Sequence, residues 1–98
     1  MSNALAPEKV KAAIENLEGW SYEENAIHKQ YTFENFREAI SFIVRLSFHA
    51  EALNHHPELS NVYNKVSIKL TTHDADNQVT DKDIKLAQEI ESFNWAKG

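Results

Sequence analysis

Glu51-Ala-Leu-Asn-His55-His56-Pro57, followed further along by Tyr63, His73 and Asp83, gathers groups that give and take protons. Three of the five histidines stand among them, and an imidazole, with an unperturbed pKa of about 6.5, exchanges protons near neutrality. These residue types point to acid–base chemistry on a small polar molecule. Other chemistries lack their parts. Without cysteine there is no thiolate nucleophile, disulfide or iron–sulfur cluster. With only Gly19 and Gly98 there is no phosphate-cradling loop, and no Gly-x-Ser-x-Gly elbow occurs. A metal site is not expected: neither His-x-x-x-His nor His-Glu-x-x-His is present, adjacent histidines project apart, and distant His73 and Asp83 would have to complete the shell.

Spacing suggests how the motif is held. Proline disfavours helical geometry in the residue before it, so Pro57 is expected to end a helix by His56 and leave the histidine pair at its terminus. Glu51 lies one helical turn before His55, where its carboxylate can reach the imidazole and fix its tautomer. His73 shares the strand parity of Ser67, Lys69 and Thr71, away from the apolar positions Val66, Ile68 and Leu70, if that strand runs on unbroken. Thr80-Asp-Lys-Asp83 is a capping-box pattern, so Asp83 suits both a helix cap and a functional role. His28 and His49 read as solvated residues on the polar sides of their elements.

The elements that must position these groups alternate in period. Pro7 with Val10, Ala13, Ile14 and Leu17 predicts a helix running to near Gly19. Trp20–Glu23 and Ile27–Phe33 predict two strands with Glu24-Asn25 as their turn. Asn35, with Glu38 three residues on, opens a helix from about Phe36 to Leu53. Its apolar residues span roughly 200° of arc, wider than one sheet contact needs, so a second copy of the chain or the N-terminal helix is expected to cover the excess. Leu59–Tyr63 and Val66–Thr72 predict a second hairpin across Asn64-Lys65. Residues 73–79 read as a polar loop, and Thr80 opens a last helix with Ile84, Leu86, Ala87, Ile90 and Phe93 inward. The order α-β-β-α-β-β-α predicts a two-layer α+β domain: a four-stranded antiparallel sheet with helices on one face.

Length and charge set the bounds. Ninety-eight residues suit one domain over 1–98, with 1–6 as a loose tail, and so small a core favours self-association. A formal charge of −5 argues against holding nucleic acid by phosphate neutralisation. No apolar run is long enough for a membrane span, and the N-terminus lacks a secretory pattern, so the cytoplasm is the expected compartment.

Glu51-Ala-Leu-Asn-His55-His56-Pro57-Glu58, Asn61-Val-Tyr63-Asn64-Lys65-Val66, Leu70-Thr-Thr-His73 and Asp81-Lys-Asp83-Ile84-Lys-Leu-Ala87 together closely resemble the pterin-4-alpha-carbinolamine dehydratase (dimerisation cofactor) family. The motif-level match runs from about Ala50 to Ala87, and the order of elements follows the family over nearly the whole chain. Two departures stand out: Leu59 occupies a place where many members carry an aromatic residue, and the segment between His73 and Asp83 is about one residue longer than in some relatives. The resemblance implies dehydration of 4a-hydroxytetrahydropterin to quinonoid dihydropterin, recycling tetrahydrobiopterin after an aromatic amino acid hydroxylase. Pterin is then the substrate, and no cofactor is implied. His55, His56 and His73 would form the acid–base group, with Glu51 orienting His55 and with Pro57 and Asp83 supporting the pocket. The family also implies a homo-oligomer, dimer or tetramer, and an alternative role as a binding protein that stabilises a transcription-factor dimer through its helix surface.

Overall fold

The structure, a computed structural model, describes residues 3–96. Its elements are α1 (Pro7–Ile14), β1 (Ser21–Glu23), β2 (Ala26–Thr32), α2 (Phe36–Leu53), β3 (Glu58–Val62), β4 (Lys65–Leu70), a 3-10 turn (His73–Ala75) and α3 (Asp81–Phe93). The strands form one antiparallel sheet in the order β1-β2-β4-β3, and the helices lie on one face. Ile27, Tyr31, Val66, Ile68 and Leu70 line that face and meet Phe42 and Leu46 of α2 and Leu86 and Ile90 of α3 in one buried cluster. The alternation expected for β4 is therefore the alternation observed.

Both hairpins close through two residues. Glu24 and Asn25 take φ of 51° and 65°, the left-handed pair that matches the twist of adjoining strands. In the second hairpin Val62 pairs with Lys65, so the loop is Tyr63-Asn64, one residue earlier than Asn64-Lys65. Asn64 is drawn back to β2: its carbonyl accepts from the Phe33 amide at 2.8 Å and its side chain donates to the Phe33 carbonyl at 2.9 Å. Two hydrogen bonds there outweigh the turn preference of Asn-Lys.

Helix α1 stops at Ile14 rather than near Gly19; residues 15–19 form turns, with Gly19 at φ 87° just before the sheet. Of the stretch expected to be loose, residues 1 and 2 lie outside the described residues. Leu5 is tied down, its amide donating to the Val79 carbonyl at 2.8 Å and its side chain packing on the core. Segment 73–79 is likewise more than a polar loop. Val79 is buried, and Thr72 bridges to Gln78, so the segment folds back on itself and is pinned at both ends.

The outer side of α2 is bare. Ala39, Phe42, Leu46 and Ala50 face the core, whereas Phe36, Ile40, Val44 and Phe48 are exposed, Phe48 by 69%. Helix α1 leaves them exposed and packs chiefly on α3 and β1. Among the described residues no helix is long and apolar enough to cross a membrane.

Candidate active site

The end of α2 decides where the histidine pair points. Asn54, in the left-handed region at φ 51°, donates its amide to the Glu51 carbonyl, and the His55 amide donates to the Ala50 carbonyl at 3.0 Å. This is a Schellman stop, with Asn in the place that glycine commonly takes. The helix thus ends at Leu53, before Pro57 can act, and His55 leaves the helical phase. That overturns the expected pairing of Glu51 with His55. His55 turns inward, its Nε2 lying 2.5 Å from Asp83 Oδ1, and Glu51 instead meets His56 Nε2 at 2.9 Å. Both imidazoles carry a carboxylate at Nε2, but in opposite settings. The His55–Asp83 pair is buried, with Asp83 fully enclosed, whereas His56 and Glu51 are exposed.

Asp83 serves both roles that its position allowed. At the third residue of α3 its Oδ2 accepts from the Thr80 amide at 2.9 Å, completing the capping box. The same oxygen accepts from the Thr72 hydroxyl at 2.8 Å, while Oδ1 faces His55. A carboxylate in a first helical turn is also favoured by the helix dipole.

Strand β4 ends at Leu70, so the register that placed His73 by parity breaks before reaching it. His73 opens the 3-10 turn and is exposed. It nevertheless faces the other two histidines. His55, His56 and Pro57 from the end of α2, Thr71, Thr72 and His73 from the end of β4, Asn77, and Lys82 from α3 line one open cleft of about 570 Å³. That volume suits a small bicyclic ligand. Glu51 and Asp83 are not part of the lining; they stand behind the imidazoles.

A neighbouring depression of about 470 Å³ lies over the bare face of the sheet, lined among others by Ser21, His28, Gln30, Ser67 and Lys69. Its single histidine, His28, is half-buried and bonded to the Glu23 carbonyl at 3.2 Å, so the three-imidazole group of the cleft has no counterpart there. His49 is not simply solvated either: it stacks on Phe93 and meets Glu89 at 2.8 Å.

Sequence reasoning missed Thr72 and Lys82. Thr72 was open to discovery, because it shares parity with Val66, Ile68 and Leu70, and a hydroxyl turned inward must find partners. Lys82 gave no such signal, since charged first-turn residues are usually solvated.

The chain is similar to known proteins in sequence and in fold. Residues 3–93 match the sequence profile described as Pterin 4 alpha carbinolamine dehydratase. A relative from Opitutus terrae, provisionally named pterin-4-alpha-carbinolamine dehydratase, is 47% identical over 97% of this chain and 98% of its own. One from Christiangramia forsetii with the same provisional name is 46% identical over 95% of each chain. The crystal structure of a transcriptional coactivator/pterin dehydratase from Brucella melitensis superposes with a TM-score of 0.87 at 36% identity, over 92% of this chain and 97% of that one.

Proposed function

The chain belongs to the pterin 4 alpha carbinolamine dehydratase family, and from that premise we propose that it removes water from a 4a-hydroxytetrahydropterin to give quinonoid dihydropterin. The observation that supports this most is the common cleft of His55, His56 and His73, two of them backed by carboxylates.

The chemistry matches the parts. A ring-nitrogen lone pair expels the 4a-hydroxyl as the C–O bond breaks, an imidazolium gives its proton to the departing oxygen, and a neutral imidazole takes the proton from the ring N–H. One proton enters and one leaves, and no electron is exchanged with a third party. The reaction therefore asks for no metal or redox cofactor, and pterin is substrate alone. A carboxylate only accepts, so neutral His55 donates from Nε2 to Asp83 and keeps Nδ1 as its acceptor. The same logic applies to His56 and Glu51. Each placed proton donor or acceptor is worth about 10²–10⁴ in rate. The product fits recycling of tetrahydrobiopterin after an aromatic amino acid hydroxylase, in the cytoplasm.

A second reading concerns partners. The exposed stripe Phe36, Ile40, Val44 and Phe48 is a continuous apolar helix face on a small domain, which favours a second copy of the chain as its cover. The same face would suit a transcription-factor dimer, in line with the coactivator name of the Brucella protein.

The deciding experiment supplies synthetic 4a-hydroxytetrahydropterin and follows quinonoid dihydropterin by absorbance. Turnover well above the spontaneous rate is expected; a rate equal to it refutes the enzyme and leaves the binding role.

A further inference from the structure

We propose that Thr72 and Thr80, acting through Asp83, are positioning residues that hold His55 in a single tautomer with Nδ1 open to the cleft.

The proton accounting closes on one arrangement. Asp83 is fully enclosed and Thr72 and Thr80 nearly so, so every polar atom there must be matched within the protein. Thr72 Oγ1 gives its only proton to Asp83 Oδ2. Its contact with Thr80 Oγ1, at 2.6 Å, must then be donated by Thr80. Thr80 Oγ1 in turn accepts from the Lys82 amide at 3.2 Å. The chain of donation runs one way: Lys82 amide, Thr80 hydroxyl, Thr72 hydroxyl, Asp83 carboxylate. With two donors held on Oδ2, the carboxylate cannot rotate, and Oδ1 is left for the Nε2–H of His55. His55 Nδ1 has no hydrogen-bond partner among the described residues. Among the described residues no fully buried side-chain nitrogen or oxygen lacks one, so that nitrogen is in reach of the cleft that His55 lines.

Thr72 differs from an ordinary cap residue. Thr80 caps α3 and would be kept for that alone, but Thr72, which stands at the N-cap of the 3-10 turn, makes no side-chain cap bond there; among the described residues its hydroxyl serves Thr80 and Asp83. Its backbone also anchors the segment that carries His73, its amide donating to the Gln78 carbonyl at 2.9 Å and its carbonyl accepting from the Ala75 and Asn77 amides. One residue thereby sets the register of two cleft histidines.

The test compares Thr72→Val, which keeps the shape and removes the hydroxyl, with Thr72→Ser, which restores it. Two-bond ¹H–¹⁵N spectra of the imidazoles report the tautomer of His55, and this readout stands whether or not the protein is a dehydratase. The turnover readout rests on the proposed activity: if wild type does not turn over, that reading fails while the tautomer still tests this one. Expected are a single Nε2–H tautomer in wild type and Thr72→Ser, mixed tautomers in Thr72→Val, and a kcat lowered roughly tenfold with KM little changed. Thr80→Asp, which keeps an acceptor for the Lys82 amide but has no proton to give Thr72, is expected to act alike and serves if the valine variant does not fold. A folded variant of either kind that keeps the wild-type tautomer and kcat overturns the proposal, as does a wild-type His55 that is not in the Nε2–H form.

Discussion

Two carboxylates on α3 each gather several donors and do different things. Asp83, in the first turn, takes His55, the Thr72 hydroxyl and the Thr80 amide. Glu91, roughly two turns on, takes Trp20 Nε1 at 3.1 Å, Lys29 Nζ at 2.8 Å and the Tyr31 hydroxyl, all on Oε2. The difference lies in the donors. Indole, ammonium and phenol tie Trp20 and β2 to the helix, Lys29 Nζ donating also to the Glu18 carbonyl at 2.7 Å, and none of the three lines the cleft. An imidazole has a second nitrogen, so what Asp83 fixes on one side is presented to a cleft on the other.

The largest effect should come from the open-ended side. His55→Ala is expected to lower dehydration of the synthetic carbinolamine by about 10²-fold or more, and His56→Ala and His73→Ala by at least tenfold, with the fold retained by circular dichroism. Equal turnover in His56→Ala, His73→Ala and wild type would remove the site.

The closed side should answer in stability instead. Glu91→Gln is expected to cost roughly 1–3 kcal/mol in denaturant unfolding with kcat near wild type; a lost kcat at unchanged stability would merge the two roles. Its pH dependence carries a definite sign. Burial alone would raise the Glu91 carboxyl, but hydrogen bonds from Lys29, Tyr31 and Trp20 outweigh it and hold it below the usual glutamate range. Its stabilisation is therefore complete above the ordinary glutamate value and is lost as pH falls through the depressed one. Tyr31 runs the other way. Burial first, then the hydrogen bond and charge of Glu91, push its hydroxyl far above the usual phenol value. That contribution is present below the ordinary value of about 10 and is lost as pH rises beyond it. Tyr31→Phe should remove the alkaline loss, and Glu91→Gln the acid one.

The smallest effect on turnover per subunit is expected from Val44→Asp, on the bare face of α2 remote from the cleft lining. Light scattering should show a lower mass than wild type if a second copy covers that face; an unchanged mass would say that it does not.

Much of this was legible in the chain. The α-β-β-α-β-β-α order, the inward parity of Val66, Ile68 and Leu70, and the Thr80 cap follow from local periods and from residues whose partners are near in sequence. The histidines of the cleft were named from residue type and from the family resemblance. Their wiring was not legible, because one left-handed residue, Asn54, rotates His55 out of helical phase, and its carboxylate comes from an element 28 positions away. Thr72 stayed hidden for the same reason: its hydroxyl matters through Asp83, and only the fold brings the two together. The Glu91 network joins β2 and Trp20 to α3 over separations of 60 residues and more, which no spacing rule reaches.

The central claim is that three imidazoles, two from the end of α2 and one from the segment after β4, face one bicyclic ligand. The most direct measurement is an NMR titration of imidazole-labelled protein with a non-reactive pterin lacking the 4a-hydroxyl, with His28 and His49 as internal controls. His55, His56 and His73 should shift together along one saturation curve while His28 and His49 stay still. Shifts confined to His28 over the sheet face, or none at His55 and His73 at saturating pterin, would contradict it.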